Sequence, residues 1–365
     1  MPKIVATFPA GTITNTCTIN RNAVKQGESI CIKYPARLEA MALDPAKIAT
    51  NDSLVYTAGQ IDVCVALFKR VSVRIVPFTG REIEISERTG RRSLVLHAAL
   101  LMRQTLGIRD TLQIDVEDEL SLRHCGLGSS SGTIAAVASA INELYGRPID
   151  PHALCLYCAQ NHGEELDGSD DTLVAVQCIG GSAVCGNYSG SLIVLAGEAT
   201  PIMRSAFPER YSVVIGIPID FQHPDSRTLM QLEEDNMDGF ISTGEHYGKD
   251  IAYHLVHQVL PDLQLGKFDS CKRLIFDYRW NMGSIKNCSF VLPRINDIAE
   301  QLRPFADDEA VAMISLSSVG PGFFAVTSEP ERISKKFAEL DMNTYHVSLF
   351  SETYLVESVG KKGKQ

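Results

Sequence analysis

Between residues 124 and 132 the chain reads His124-Cys125-Gly126-Leu127-Gly128-Ser129-Ser130-Ser131-Gly132, and an alanine-rich segment follows at once. Glycine lets a backbone approach a ligand closely, and the first-turn amides of a helix have no partner inside it. Those amides, with the positive end of the helix dipole, form an anion site. The hydroxyls of Ser129, Ser130 and Ser131 can add donors, or in the case of Ser130 a magnesium ligand. A Gly-Ser run can also be only a linker before a helix. The run matches neither the Gly-Lys-Ser/Thr phosphate loop nor the dinucleotide-binding glycine pattern. The segment behind it places Ile134, Val137, Ile141 and Leu144 on one helix face and ends at Gly146.

The flanking sequence mixes strands and helices in both halves, which predicts an α+β fold of two lobes rather than a doubly wound parallel sheet. Residues 29–34 and 71–76 alternate as half-buried strands. Residues 91–107 have helical spacing, with Gly107 as a left-handed stop. Asp150 and Pro151 supply an N-cap and a first-turn proline. Residues 174–179 and 180–184 read as a pair of strands. A boundary is expected near residues 199–207, dividing the chain into 1–200 and 201–365. The second part predicts a strand at 211–217 and a helix at 247–260 stopped by Pro261. A helix over 293–302, strands at 310–316 and 323–327, and a helix over 330–340 complete it.

With 34 basic and 44 acidic residues, the net charge of −10 excludes binding driven by a nucleic-acid backbone. Small anionic ligands are not excluded, because local dipoles or a cation can hold phosphate on an acidic protein. No apolar run of about 18 residues reads as a membrane span, and the first 18 residues lack a signal-peptide pattern. A cytoplasmic location is therefore expected, with the ten cysteines as thiols. Cys155 and Cys158 have metal-like spacing but no second pair, so they read as buried helix-face residues. His254 and His257 lack a third ligand and read as structural. Residues 361–365 read as a solvated tail.

The glycine loop resembles the second motif of the GHMP superfamily (galacto-, homoserine, mevalonate and phosphomevalonate kinases), Pro-x-Gly-Leu-Gly-Ser-Ser-Ala-Ser. Pro35-Ala36-Arg37-Leu38 sits where that superfamily has its N-terminal motif, and Val319-Gly320-Pro321-Gly322 sits near its C-terminal glycine loop. His162-Gly163 followed by Gly168-Ser169-Asp170 echoes a kinase His-Gly-x-x-Ser-Gly-x-Asp segment with two extra residues. The kinase proline, however, is His124 here, the kinase asparagine of the first motif is absent, and the third loop reads Ser317-Ser318-Val319-Gly320-Pro321. These departures resemble a non-kinase branch, the β-ribofuranosylaminobenzene 5′-phosphate synthases, with His-x-Gly-Leu-Gly-Ser, Pro-x-Arg-Leu-His and Ser-Ser-x-Gly-Pro. Glu39 replaces that branch's histidine, and the acidic residues 164–171 replace an Arg/Gly-rich stretch. The resemblance extends to the C-glycoside synthases of pyrazole C-nucleoside antibiotics of the formycin and pyrazofurin type.

What the resemblance implies is a GHMP-type two-lobed fold, with a ribosomal protein S5-like first lobe and a ferredoxin-like second lobe. The implied reaction joins an aromatic carboxylate's ring carbon to C1 of 5-phosphoribosyl 1-pyrophosphate, releasing pyrophosphate and CO₂ with Mg²⁺. The donor would meet Gly126, Leu127, Gly128, Ser129, Ser130, Ser131 and Gly132, together with Ser317, Ser318 and Gly320. Asp170, Asp171 and Ser130 are the metal candidates. Arg37 or Lys33 would grip the acceptor carboxylate unless each only forms a surface salt bridge. His124 would aid the diphosphate or orient the loop. A kinase that holds ATP at the loop, with Asp170 on magnesium or as base, stays open, as does a silent metabolite-binding protein. Glu245, Lys249, Asp277 and Arg279 fall in no motif. A homodimer is the default expectation.

Overall fold

The elements are laid out in chain order in the computed structural model, which describes residues 7–23, 27–48, 58–120, 122, 124–166, 171–222 and 224–360. The first lobe opens with strands β1 (Thr7–Pro9), β2 (Ser29–Ala42), β3 (Gln60–Val76) and β4 (Ile83–Ile85), helix α1 (Arg92–Leu106) and strand β5 (Thr111–Asp118). Helices α2 (Ser129–Leu144) and α3 (Pro151–Gln160), strands β6 (Gly163–Glu165) and β7 (Thr172–Ala175), helix α4 (Gly181–Asn187), and strands β8 (Leu192–Ala196) and β9 (Thr200–Ser205) follow. The second lobe begins with β10 (Ser212–Pro218) and six helices: α5 (Ser226–Asp235), α6 (Met237–His254), α7 (Leu260–Gln264), α8 (Asp269–Phe276), α9 (Ser284–Asn287) and α10 (Ile295–Leu302). It closes with β11 (Val311–Leu316), β12 (Phe323–Thr327), α11 (Pro330–Glu339), β13 (Met342–Val347) and β14 (Leu355–Gly360).

The main sheet of the first lobe has the order β14-β2-β3-β5-β4, and β8 pairs the outer part of β3 and carries β9. Strand β2 runs well past Tyr34, where a sequence reading stops at Pro35. The antiparallel register with β3 shifts between Pro35 and Ala36, so the strand passes a residue that has no N–H to give. Helix α2 is buried on nearly every side, because Ala135, Ala136 and Ala140 are as inaccessible as Ile134, Val137 and Ile141. The alanines admit α1, α4 and the sheet at close range, while each large aliphatic residue contributes about 1.5–3 kcal/mol of burial. Gly107 ends α1 with φ 66°, and the Asp150 carboxylate accepts from Ala153 N to cap α3.

The second lobe follows the order β11-β12-β10-β13, every pair antiparallel. Helices intervene between β10 and β11 and between β12 and β13, which is the ferredoxin-like arrangement. Alternate residues of β10 serve two cores. Val214 packs with Phe323, Phe337 and Ile295 under the helices. Val213 and Ile215 pack with Leu38, Ile61 and Val194 of the first lobe. The lobes thus share an apolar seam, and β14 returns to pair β2.

Three local expectations are corrected. Residues 180–184 are not a strand: they enter helix α4, and the strand expected at 174–179 ends at Ala175. The helix expected over 247–260 begins at Met237 and is not stopped by Pro261. A π-helical turn over Leu255–Val259 leaves Pro261 in the first turn of α7, where no N–H is required. Cys155 and Cys158 are buried thiols on α3, and burial raises both. No helix among the described residues is long and apolar enough to cross a membrane.

Candidate active site

The glycine loop takes the conformation its composition allows. Gly126 and Gly128 have φ 83° and 63°, and Gly128 is the N-cap of α2 with no side chain to satisfy the first-turn amides. A Cβ on Gly126 would lie 2.3 Å from the Ser317 carbonyl oxygen, and one on Gly128 would lie 2.5 Å from Ser182 Oγ. The loop is therefore held from both lobes. Ser317 Oγ donates to the Gly126 carbonyl at 2.7 Å, and Glu39 N donates to Ser317 Oγ at 3.1 Å. His124, ahead of the loop, also has a left-handed backbone (φ 53°), with its Nε2 3.4 Å from Ser226 Oγ of α5.

The loop forms one wall of a cavity of about 300 Å³ at the seam between the lobes. Arg37, His124, Gly126, Leu127 and Gly128 line it, as do Ser129, Ser130 and Ser131, together with Ser318 and Gly320. Ser317 stands behind Gly126. Gly132 instead borders a smaller cavity beside buried Lys69, which pairs with the exposed Asp118. Lys33 does not reach the cavity; it pairs with Glu357 at 3.2 Å. Of the second-lobe residues without a motif, Arg279 lines the cavity, while Glu245, Lys249 and Asp277 do not.

Arg279 is one of the residues that motif reasoning left unassigned and that the structure explains. It projects from a π-helical turn (Asp277–Asn281) and is 2% exposed. Its guanidinium donates to the carbonyls of Ala40 (2.8 Å), Ser318 (2.9 Å) and Glu39 (3.2 Å). One buried side chain thereby fixes the first-motif strand against the third loop. Arg91, which carried no motif signal either, donates to Ser130 Oγ at 2.7 Å and pairs with Glu164 and Glu165 of β6.

Charge inside the cavity is crowded. Arg37 contacts Glu39 at 3.3 Å and Asp62 at 3.9 Å. Burial pushes the Asp62 carboxyl up to about 7 against the pull of Arg37, and Glu39, opposite it in register, adds to the rise. Glu233 of α5 is likewise raised to about 7, by burial first and then by Glu164 and Glu39. His162 is driven down to about 4 by burial although Glu164 pulls it upward, so its ring is neutral. Its Nδ1 has no hydrogen-bond partner.

The magnesium expectation can be tested on these residues. Asp170 lies outside the described residues, as do Gly168 and Ser169. Asp171 is exposed and does not line the cavity. Ser130 Oγ already accepts from a guanidinium. No set of three or more His, Cys, Asp or Glu side chains among the described residues converges to hold a metal. Asp170, the first of the expected ligands, is not among those residues.

Residues 93–178, which span α1, the glycine loop and α2, match the model of the GHMP kinases N terminal domain. No curated protein matches the sequence. Homoserine kinase from Cytophaga hutchinsonii superposes with a TM-score of 0.59 at 16% identity, over 91% of this chain and 98% of that one. Mevalonate diphosphate decarboxylase from Staphylococcus aureus superposes with a TM-score of 0.60 at 11% identity, again over 91% and 98%. A structure described as MDDEF in complex with MVAPP, AMPPCP and magnesium gives 0.59 at 12% identity, over 90% and 99%. Loop, lobes and comparisons agree on the fold: the chain has the GHMP-type fold, and its residues 93–178 are similar to the GHMP kinases N terminal domain.

Proposed function

We propose that this protein is a C-glycoside synthase of C-nucleoside biosynthesis. It joins the ring carbon of an aromatic carboxylate, a pyrazole or a benzoate, to C1 of 5-phosphoribosyl 1-pyrophosphate and releases pyrophosphate and CO₂. The observation that carries this reading is the backbone of His124. Proline is locked near φ −65°, so the kinase proline cannot occupy a position held at φ 53°. The loop that results is stitched through Gly126 to Ser317 of the Ser-Ser-x-Gly-Pro segment, the segment that resembles the synthases.

In this reading the amides of Ser129, Ser130 and Ser131 and the dipole of α2 hold the diphosphate, where charge grows as the C1–O bond breaks. Magnesium, carried by the donor as its counter-ion, would neutralise charge on the leaving diphosphate. His124 orients the loop through Ser226. Arg37 holds the acceptor carboxylate. Glu39 already pairs with its guanidinium, so a further carboxylate there is poorly satisfied and its departure as neutral CO₂ is favoured. The electron pair of that C–C bond restores the aromatic ring after the new bond to C1 has formed, and pyrophosphate leaves with the electrons of the C1–O bond. The cavity's part is to place ring carbon and C1 together, a contribution of about 7–11 kcal/mol in well-oriented systems.

A second reading, an ATP-dependent small-molecule kinase, is favoured by the match over residues 93–178 and by the kinase and decarboxylase folds nearby. Calorimetry with Mg²⁺ and either phosphoribosyl pyrophosphate or ATP separates the two. Incubation with labelled donor and a panel of aromatic carboxylates, followed by CO₂ and pyrophosphate release, then identifies the acceptor. Tight ATP binding with no binding of the ribosyl donor refutes the synthase.

A further inference from the structure

Arg91 stands just ahead of α1 with a left-handed backbone, φ 52°, a conformation uncommon for a residue with a long side chain. That turn goes with an inward guanidinium, whose side chain is 8% exposed, at the start of α2. Nη2 donates to Ser130 Oγ at 2.7 Å and Nη1 to Ser129 Oγ at 3.4 Å. Nη2 also donates to Glu164, and Nε faces Glu165. Two carboxylates on one guanidinium leave no net positive charge in this cluster. What Arg91 gives the loop is direction rather than charge.

A seryl hydroxyl carries one proton and two lone pairs. When its oxygen accepts from a guanidinium, its own proton points away from that cation and the group is left as a donor. The same oxygen is a poor ligand for a second cation. Ser129 and Ser130 both line the cavity. So does His162, which is 7% exposed and whose Nδ1 lacks any hydrogen-bond partner in the absence of a ligand. Two oriented hydroxyls and an uncapped helix start therefore share one wall of the cavity, whose lining also includes His162 with its buried, unpartnered Nδ1.

We propose that Arg91 is a positioning residue that turns Ser129 and Ser130 into donors for the oxygens of a pyrophosphate group, which the loop takes up directly, without Ser130 serving as a metal ligand. This rests on the reading of the loop as a pyrophosphate site.

The test is calorimetry of the full chain with inorganic pyrophosphate, once in a metal chelator and once in Mg²⁺, for the wild type, Arg91→Lys and Ser130→Ala. The wild type binds in chelator. Each variant weakens binding about tenfold, the scale of one hydrogen bond to a charged group, and by the same factor in both media. Arg91→Lys keeps the charge and loses the fork, so an affinity equal to wild type overturns the proposal. Ser130→Ala that keeps its affinity in chelator but loses the gain from Mg²⁺ makes Ser130 a metal ligand and overturns it as well. Should Arg91→Lys fail to fold, Ser130→Ala decides alone. A wild type that binds pyrophosphate in neither medium removes the underlying reading of the loop, and with it this inference.

Discussion

Replacing Gly126 with alanine tests whether the two lobes are joined at the loop as tightly as the geometry says. Two effects add. The left-handed backbone at φ 83° costs a residue with a Cβ about 1–2 kcal/mol. The new Cβ would also lie 2.3 Å from the Ser317 carbonyl oxygen. That oxygen cannot retreat freely, because Ser317 N is tied to the Gly322 carbonyl at 2.8 Å and Ser317 Oγ to the Gly126 carbonyl at 2.7 Å. Displacing it sacrifices one or two hydrogen bonds, at about 1 kcal/mol each. The sum is about 3 kcal/mol. Gly197 supplies the control: its φ is 57° and a Cβ there would meet nothing within 4 Å, so Gly197→Ala carries only the backbone penalty. Urea unfolding should place the midpoint of Gly126→Ala below that of Gly197→Ala by about 0.5–1 M, the difference of about 1–2 kcal/mol over a slope of about 2 kcal/mol per molar. Binding of phosphoribosyl pyrophosphate should fall more than tenfold in the first variant and remain unchanged in the second. Equal midpoints for the two would refute the claim that the loops are in rigid contact.

Two further outcomes follow from buried charge. Arg279→Met takes the guanidinium donor from the Ser318 carbonyl, and from the carbonyls of Glu39 and Ala40, which keep Ser318 N and Ser315 Oγ, and should lower stability by about 2 kcal/mol; an unaltered urea midpoint would show that the clamp is not needed. For Asp62, raised to about 7 from an ordinary 3.8, the folded state keeps its proton while the unfolded carboxyl ionises. Wild-type stability is then lost as pH rises from about 4 to about 7 and is level above that. Asp62→Asn removes this contribution, so its stability relative to wild type should climb through the same window, leaving the slope due to Glu233, which titrates there too. A difference that does not vary with pH sinks the assignment.

How far the sequence alone reached depends on where each signal is stored. Gly107, Asp150 and the left-handed glycines ahead of α2 act through local backbone rules, and their conformations were legible. The helix at Gly181–Asn187 was not: it is short and wholly buried, so it has no polar face from which a helical period can be read. Pro35 concealed the continuation of β2, since only the pairing with β3 reveals that a register shift accommodates it. Arg91 and Arg279 were invisible for a different reason. Their partners, Ser130 for one and Ser318 for the other, lie about 40 residues away along the chain, and nothing local marks an arginine as turned inward.

The pairing of β14 with β2 ties the history of the chain to its architecture. During synthesis β2 emerges early, but its outer edge stays bare until the whole second lobe has been made and β14 arrives. The edge of β2 over Ser29–Lys33, which β14 covers, is, while bare, a template for pairing with another chain. Removing residues 355–360 would restore that exposure permanently, so such a truncation should give aggregates even though none of those residues lines the cavity.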